Sequence, residues 1–189
     1  PLTGVGDVNT YALFAETFLQ ATVPTGSAGF IVPTGIATDD STKRFFRATA
    51  GGGRLRQLVS FYEVRKWFPA TDERKPFCLF TLANARIARF IFDVRKVEEL
   101  KDDRRWYQLT PGDFELLNPN TQTLPTFRSE RDAELTKQLY RAAPVLLREE
   151  FRDGDGAILQ EPANEWGIDF QTMFHMSGDS GLFKSTPAV

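Results

Sequence analysis

The spacing of apolar residues along the first half of the chain predicts alternating helices and strands. An apolar stripe at helical spacing predicts a helix over residues 9–23, with Asn9 or Thr10 as its cap. The continuous apolar run over residues 29–32 predicts a strand that is buried on both faces of a sheet. A second helix is predicted over residues 41–50, where three consecutive glycines end it.

Three further apolar segments predict strands over residues 55–62, 77–82 and 86–94. The connection over residues 63–76 has no helical pattern, so the two strands that flank it are predicted to pair antiparallel. The order helix, strand, helix, strand, loop, strand is typical of one flank of an open α/β sheet.

The second half of the chain has a weaker pattern. Thr110 and Asp113 have the spacing of a capping box and predict the start of a short helix. Ser129 predicts the start of another helix over residues 130–142. We place a soft boundary near residue 122, between these two helices.

The composition is that of a folded globular protein, with 41% hydrophobic and 25% charged residues. No apolar run approaches the roughly 20 residues of a membrane helix, which predicts a soluble protein without membrane contact. Cys78 is the one cysteine and His175 the one histidine, which excludes an internal disulfide and a His/Cys zinc cluster. The cysteine count fits a reducing cytoplasm.

The charge is nearly balanced, at −2 overall, which does not indicate a protein that binds nucleic acid over its whole surface. Residues 43–66 nevertheless carry seven basic side chains against one acid. This stretch is either a solvated helix face with strand ends or a contact for phosphates, and the sequence leaves both open. The glycines at 4–6 and 51–53 lack the order of strand, loop and helix that a phosphate loop needs, so they are predicted to be turns.

The loop over residues 63–76 places Trp67, Phe68 and Pro69 between two predicted strands. An aromatic ring in such a loop can fold back onto the sheet, and this interpretation is favoured for Trp67. Phe68 has a second interpretation, because an aromatic ring at the rim of an α/β sheet can stack on a base taken out of a duplex. The pattern alone favours packing over stacking.

Longer strings of the sequence resemble adenine-specific DNA methyltransferases, in particular the large single-chain enzymes of restriction–modification and phage defence. These strings follow the expected order along nearly the whole chain. They are residues 1–14 (PLTGVGDVNTYALF), 29–40 (GFIVPTGIATDD), 68–72 (FPATD), 77–82 (FCLFTL), 117–121 (LNPNT), 127–136 (FRSERDAELT) and 166–176. One departure is Glu165, where the similar enzymes tend to have proline.

In that family a fold that binds S-adenosylmethionine donates a methyl group to the exocyclic amine of an adenine flipped out of double-stranded DNA. Neither the cofactor-binding strands nor the family's Asn-Pro-Pro-aromatic motif is present in this sequence. The resemblance therefore implies a segment of a larger polypeptide that starts just after this motif. Alone, the segment is expected to be inactive and to bind the cofactor very weakly.

The resemblance also implies the residues of a site. Phe68 matches the aromatic residue that stacks on the extruded adenine, and Pro33 begins a loop, up to Asp40, that borders the same pocket. The expected contacts with DNA phosphates are Lys66, Arg74 and Lys75 beside Phe68, and Arg128 and Arg131 in the connector. No catalytic, cofactor-binding or metal-binding residue is expected in this sequence.

The expected fold class is α/β: part of the sheet of a Rossmann-like class I methyltransferase, followed by an α+β connector. The sheet would contribute its last three strands with their helices, the final pair antiparallel. The expected segments are the carboxyl-terminal half of the methyltransferase core (1–83), additional strands and a short helix of the core (84–121), and a connector to the target-recognition region (122–189). The expected partners are double-stranded DNA and the remainder of the same polypeptide.

Two other functions remain as alternatives to the methyltransferase. The first is a non-catalytic module that binds DNA or docks a partner. The second is a different nucleotide-using α/β enzyme, which is disfavoured because the sequence has no phosphate loop.

Overall fold

The structure of the 189-residue chain is a computed structural model, and it describes residues 2–4, 8–62, 67–69, 75–152, 156–170 and 180–182. The chain divides into two compact units, Pro1–Val145 and Leu146–Val189. The helices of the first unit are α1 (Thr10–Ala21), α2 (Gly35–Thr38), α3 (Lys43–Ala50), α4 (Pro111–Leu117) and α5 (Glu130–Ala142). Its strands are β1 (Ala28–Pro33), β2 (Leu55–Phe61), β3 (Phe77–Leu82), β4 (Ala88–Val94) and β5 (Tyr107–Leu109).

The strands of the first unit form one sheet in the order β1-β3-β2-β4-β5. β3 lies between β1 and β2 and is antiparallel to both, whereas β4 runs parallel to β2 and antiparallel to β5. The predicted antiparallel pairing of the two strands that flank residues 63–76 is therefore confirmed. Because β1, β2 and β4 share one direction, their carboxyl ends meet at one edge of the sheet, which we call the carboxyl edge.

The strand register determines which residues form the carboxyl edge. Pro33 pairs with Phe77, Phe77 with Phe61, and Phe61 with Val94, so one row of residues crosses four strands. Neighbouring strands are about 4.8 Å apart, which places the ends of β1 and β4 roughly 14 Å apart.

Local hydrogen bonds explain where the predicted helices begin. The side chain of Asn9 caps α1, and the hydroxyl of Ser129 caps α5. At the start of α4, the carboxylate of Asp113 accepts hydrogen bonds from both the backbone N–H and the hydroxyl of Thr110, each over 2.8 Å. The three helix starts therefore follow the sequence prediction. The four-residue helix α2 was not predicted.

β1 corrects the prediction of a strand buried on both faces. Ile31 is 55% exposed, and Phe30 is only partly buried. β1 lies at the end of the described sheet, so it has one strand neighbour where a central strand has two. A continuous apolar run does not distinguish an end strand from a central strand, and this is why the prediction failed.

The sheet separates two apolar clusters. The larger cluster joins the sheet to the helices and includes the fully buried rings of Phe45, Phe80, Phe90 and Tyr107. The smaller cluster is built on Val59, Phe61, Ile91 and Val94. Because successive residues of a strand point to opposite faces, these clusters lie on opposite sides of the sheet. We call the two sides the helix face and the opposite face.

β4 contains a bulge next to the carboxyl edge. Its register with β2 shifts after Val59, so that β4 has one extra residue before Val94. Asp93 takes up this residue with a φ of 54°, in the left-handed region that is costly for a side chain other than glycine. The guanidinium of Arg105 donates to the backbone carbonyls of Phe92 and Asp93, over 2.6 and 3.3 Å, and stabilises the bulge.

The second unit contains a short antiparallel pair, β6 (Phe151–Arg152) and β7 (Ile158–Gln160). An isolated bridge between Arg148 and Ala163 extends this pairing. Trp166 is 66% exposed.

The described fold is mixed α/β, with helices packed on a five-stranded sheet that is mostly antiparallel and partly parallel. The α/β class is thus confirmed, whereas the Rossmann-like methyltransferase sheet stays a prediction. The segments 1–83, 84–121 and 122–189 stay predictions, and the compact units divide after Val145. In the part of the chain that the structure describes, no helix combines the length and apolar character needed to cross a bilayer.

Candidate functional site

An apolar hollow opens at the carboxyl edge, where β1 ends and β3 begins. Its volume is about 180 Å³, and it is lined by residues 31–33, Phe68 and residues 75–77. We call it the aromatic hollow. Among the described residues that line it, Lys75 is the one that carries a charge.

Phe68 is positioned by a series of aromatic contacts. The ring of Phe68 packs edge-on against Phe77, with centroids 5.1 Å apart and planes at 74°. Phe77 stacks on Phe61 at 5.2 Å and 6°, and Trp67 packs edge-on against Phe61 at 5.5 Å. Each such pair contributes about 0.5–1.5 kcal/mol beyond its buried area. The predicted packing of Trp67 onto the sheet is confirmed, while Phe68 lines the hollow and remains 38% exposed.

Polar contacts lie next to the hollow, on the helix side of the sheet. The backbone N–H of Thr34 donates to the carbonyl of Pro76 over 3.0 Å, and the hydroxyls of Thr34 and Ser60 lie 3.0 Å apart. Cys78 is fully buried in the same region. Burial raises the pKa of its thiol to about 12, despite a hydrogen bond with Thr34. Cys78 is therefore protonated at neutral pH and is not a nucleophile.

The turn that follows β1 is filled by a carboxyl group. A Cβ atom at Gly35 would come within 2.2 Å of Oδ2 of Asp39, and the N–H of Asp39 donates to the carbonyl of Gly35 over 3.0 Å. Of the loop from Pro33 to Asp40, Pro33 lines the hollow, whereas Gly35–Thr38 form α2. The described residues contain no group of three or more His, Cys, Asp or Glu side chains that could hold a metal ion.

A second cavity of about 370 Å³ lies where β4 ends. We call it the arginine cleft. Its lining residues are Phe92, Asp93, Arg95, Glu99, Arg105, Phe127 and Arg128.

The structure brings together some of the sequence-predicted site residues and separates others. Phe68, Pro33 and Lys75 meet in the aromatic hollow. Arg128 lies in the arginine cleft, and Arg131 is exposed in the first turn of α5 and lines neither cavity. Two of the predicted phosphate contacts, Lys66 and Arg74, lie outside the described residues. The binding of adenine and DNA by all of these residues stays a prediction.

Sequence reasoning missed Arg95 and Arg105 as partners of Arg128. The guanidinium of Arg95 lies over the ring of Tyr62, 5.2 Å from its centroid. The three arginines belong to separate segments, and the fold brings them together around the end of β4. The aromatic interleaving of Tyr62, Phe92 and Phe127 with these arginines was a signal in the sequence, but its pieces are too far apart in the chain to be recognised as one site.

Comparison with known proteins gives little further information. No protein-family model matches this chain. A search of curated proteins also finds no match. A solved structure with a weak likeness is that of the type IIG restriction endonuclease BpuSI, at 16% sequence identity and a TM-score of 0.40. The likeness covers 49% of this chain and 11% of that enzyme, and at this TM-score it carries no argument about activity.

Proposed function

We propose that this chain belongs to a site-specific DNA methyltransferase of a restriction–modification system. The enzyme would transfer a methyl group from S-adenosylmethionine to the exocyclic amine of adenine. The aromatic hollow receives the flipped adenine, with Phe68 stacked on the base and Pro33 beside it. The observation that carries this proposal is the placement of Phe68: its ring is fixed by neighbouring rings, partly exposed, and located at the carboxyl edge of an α/β sheet.

The energetics of base flipping support a stacking role for Phe68. Extruding a base costs a few kcal/mol of lost pairing and stacking. Stacking on an aromatic side chain returns about 1–3 kcal/mol per base. The edge-on contact of Phe68 with Phe77 fixes the ring before the base arrives, so less ordering cost is added on binding. Lys75 adds a positive charge at the same hollow, close to where the phosphates of the flipped nucleotide would lie.

The proposal places the site of the methyl donor outside this chain. The strand-to-helix turn at Gly35, one place where a nucleotide cofactor could approach the backbone, is filled by the carboxyl of Asp39. The proposal therefore assigns the base and DNA side of the reaction to this chain. S-adenosylmethionine would supply the methyl group from a site on the remainder of the polypeptide.

The direct test is Phe68→Ala in the protein that carries this chain. Loss of about 1–3 kcal/mol of stacking predicts a roughly 5- to 150-fold decrease in kcat/KM for methylation of duplex DNA. A duplex with 2-aminopurine at the target position should also lose the fluorescence increase that reports flipping. Phe68→Tyr retains the aromatic face and should restore both signals.

The matched control is Phe14→Ala. Phe14 is an exposed phenylalanine on α1, at 61% exposure, and it does not line the hollow. The Phe14→Ala variant should methylate duplex DNA and flip the target base as the unchanged protein does. If Phe68→Ala also leaves methylation and 2-aminopurine fluorescence unchanged, the stacking role is wrong. The alternative of a non-catalytic module that binds DNA or docks a partner would then be favoured.

A further inference from the structure

The arginine cleft gathers charge from three separate segments of the chain. Arg95 follows β4, Arg105 precedes β5, and Arg128 precedes α5. Two carboxylates, Asp93 and Glu99, line the same cavity. Three arginines against two carboxylates leave one net positive charge in the cleft.

The three arginines of the cleft differ in whether they have an ion-pair partner. Arg105 forms an ion pair with Glu99 and donates to the backbone carbonyl of Phe92 over 2.6 Å, so its role is to stabilise the wall. Arg95 and Arg128 are exposed, and among the described residues no carboxylate lies within ion-pair distance of either. The Arg95 guanidinium lies over the face of the Tyr62 ring, a contact that uses none of its N–H groups, so both guanidinium groups are available to an anion from solvent.

The wall that carries Arg128 is rigid because it rests on a buried ring. Tyr107 is fully buried, stacks with Phe92 at 6.4 Å, and meets the edge of Phe127 at 5.3 Å. Its hydroxyl donates to the carbonyl of Pro125 over 3.0 Å. Since Arg128 directly follows Phe127, these contacts fix the backbone from which its side chain reaches into the cleft.

The cleft and the aromatic hollow lie on the same edge of the sheet. The row that starts at Pro33 in the hollow ends at Val94, one residue before Arg95. Three strand spacings separate the two ends, roughly 14 Å, which is the rise of about four base pairs of DNA. The hollow rests on the opposite face and the cleft on the helix face, so a duplex that lies across the carboxyl edge can place a base in the hollow and a phosphate at the cleft.

We propose that the arginine cleft binds a backbone phosphodiester of the same DNA duplex, through Arg95 and Arg128. The proposal rests on the proposed function, and it joins Arg95, which the sequence did not indicate, to the phosphate contact predicted at Arg128. The single net positive charge matches the single negative charge of a phosphodiester. Asp93 would repel the second charge of a terminal phosphate, so a nucleic-acid backbone is favoured over a free nucleotide.

The test is the salt dependence of duplex binding by the Arg95→Gln/Arg128→Gln double variant. Each lost phosphate contact reduces the slope of log K against log salt by about 1, so the double variant should lose about 2 and each single variant about 1. Arg128→Lys keeps the charge and should retain most of the slope. Arg56→Gln, an exposed arginine at the far end of β2, is the matched control and should not change the slope.

Several outcomes would overturn the cleft proposal. One is a double variant, shown to be folded by circular dichroism, that has the slope of the Arg56→Gln control. If the double variant does not fold, the two single variants decide on the same criterion. The protein could instead bind adenosine monophosphate more tightly than duplex DNA and lose this binding in Arg128→Gln. That result would indicate a free-nucleotide site and would also contradict the proposal.

The failure of this proposal can be told apart from the failure of the proposed function. If the double variant has an unchanged salt slope and Phe68→Ala loses the 2-aminopurine signal, only the cleft proposal is wrong. If the double variant has a reduced salt slope and Phe68→Ala keeps the 2-aminopurine signal, the cleft contacts DNA and the proposed adenine pocket is wrong.

Discussion

The two cavities at the carboxyl edge are built on different parts of the core. The aromatic hollow rests on the smaller cluster of the opposite face, where Phe68 contacts Phe77 and Phe77 contacts Phe61. The arginine cleft rests on the helix face, because its aromatic wall packs against Tyr107. The hollow is apolar with one lysine, whereas the cleft is dominated by charged side chains.

Because the hollow rests on the less buried face of the sheet, residues that bind a ligand there should contribute little to the stability of the fold. The helix face contains fully buried rings from both helices and strands, while the opposite face includes partly buried rings such as Phe77 and Trp67. Burial of apolar area is the main stabilising term in folding. Changes in the hollow should therefore cost less stability than changes under the helices, and the two cavities should respond separately to substitution.

The largest expected effect compares two phenylalanines on the same strand. Phe80 lies on the helix face with 0% exposure, stacked on Phe30 at 5.2 Å and packed against Phe45. Phe80→Ala should lower the free energy of unfolding by about 3–5 kcal/mol, as large-to-small changes in a core do. Phe77→Ala, on the opposite face, should lower it by less than about 3 kcal/mol because Phe77 is only partly buried.

Urea denaturation of both variants measures this comparison. The ratio of the two losses is more informative than either value, since both variants remove the same side chain from β3. Equal losses would mean that the opposite face contributes as much to stability as the helix face. The proposed separation between stability and binding at the hollow would then be wrong.

Much of the local structure of the first unit could be predicted from sequence. Helix starts at Thr110 and Ser129 depend on hydrogen bonds between residues three positions apart, so short-range chemistry is sufficient. The antiparallel pairing of β2 and β3 followed from a connection without helical pattern. These features require information from only a few neighbouring residues.

The features that the sequence did not predict depend on contacts between residues far apart in the chain. The exposure of Ile31 depends on how many strands flank β1, which its apolar run does not encode. The bulge at Asp93 is a property of the register between β2 and β4. The meeting of Arg95 with Arg128 depends on the path of the chain through β5 and α4. The adenine-stacking role of Phe68 stays a prediction.

A smaller effect should appear at alkaline pH on the helix side of the hollow. Burial raises the pKa of Cys78 from 9.0 to about 12. Below pH 9 the thiol is protonated in both the folded and unfolded states, so its contribution to stability is fully present. Between pH 9 and about 12 only the unfolded state ionises, and the free energy of unfolding should fall by up to about 1.4 kcal/mol per pH unit.

Urea denaturation at pH 8, 9 and 10 measures this loss, with Cys78→Ala as the control. The variant loses some stability at every pH because it leaves a cavity, but its decline above pH 9 should be shallower than that of the unchanged protein. Parallel declines would show that Cys78 ionises normally. The side of the sheet beneath the hollow would then be accessible to water, contrary to its observed burial.

The smallest expected effect tests whether the two cavities are independent. Tyr107→Phe keeps the ring contacts with Phe92 and Phe127 and removes only the hydrogen bond to the carbonyl of Pro125. We expect a loss of about 0.5–1.5 kcal/mol in the free energy of unfolding.

The segment that leads into Arg128 should then be less firmly held. The salt slope of duplex binding should therefore decrease, but by less than in Arg128→Gln. Fluorescence of 2-aminopurine should stay normal, because Phe68 is held by the opposite face through Phe77 and Phe61. If Tyr107→Phe reduces 2-aminopurine fluorescence as strongly as it reduces the salt slope, the two cavities are coupled through the sheet. The prediction that they respond independently to substitution would then be wrong, although they rest on opposite faces.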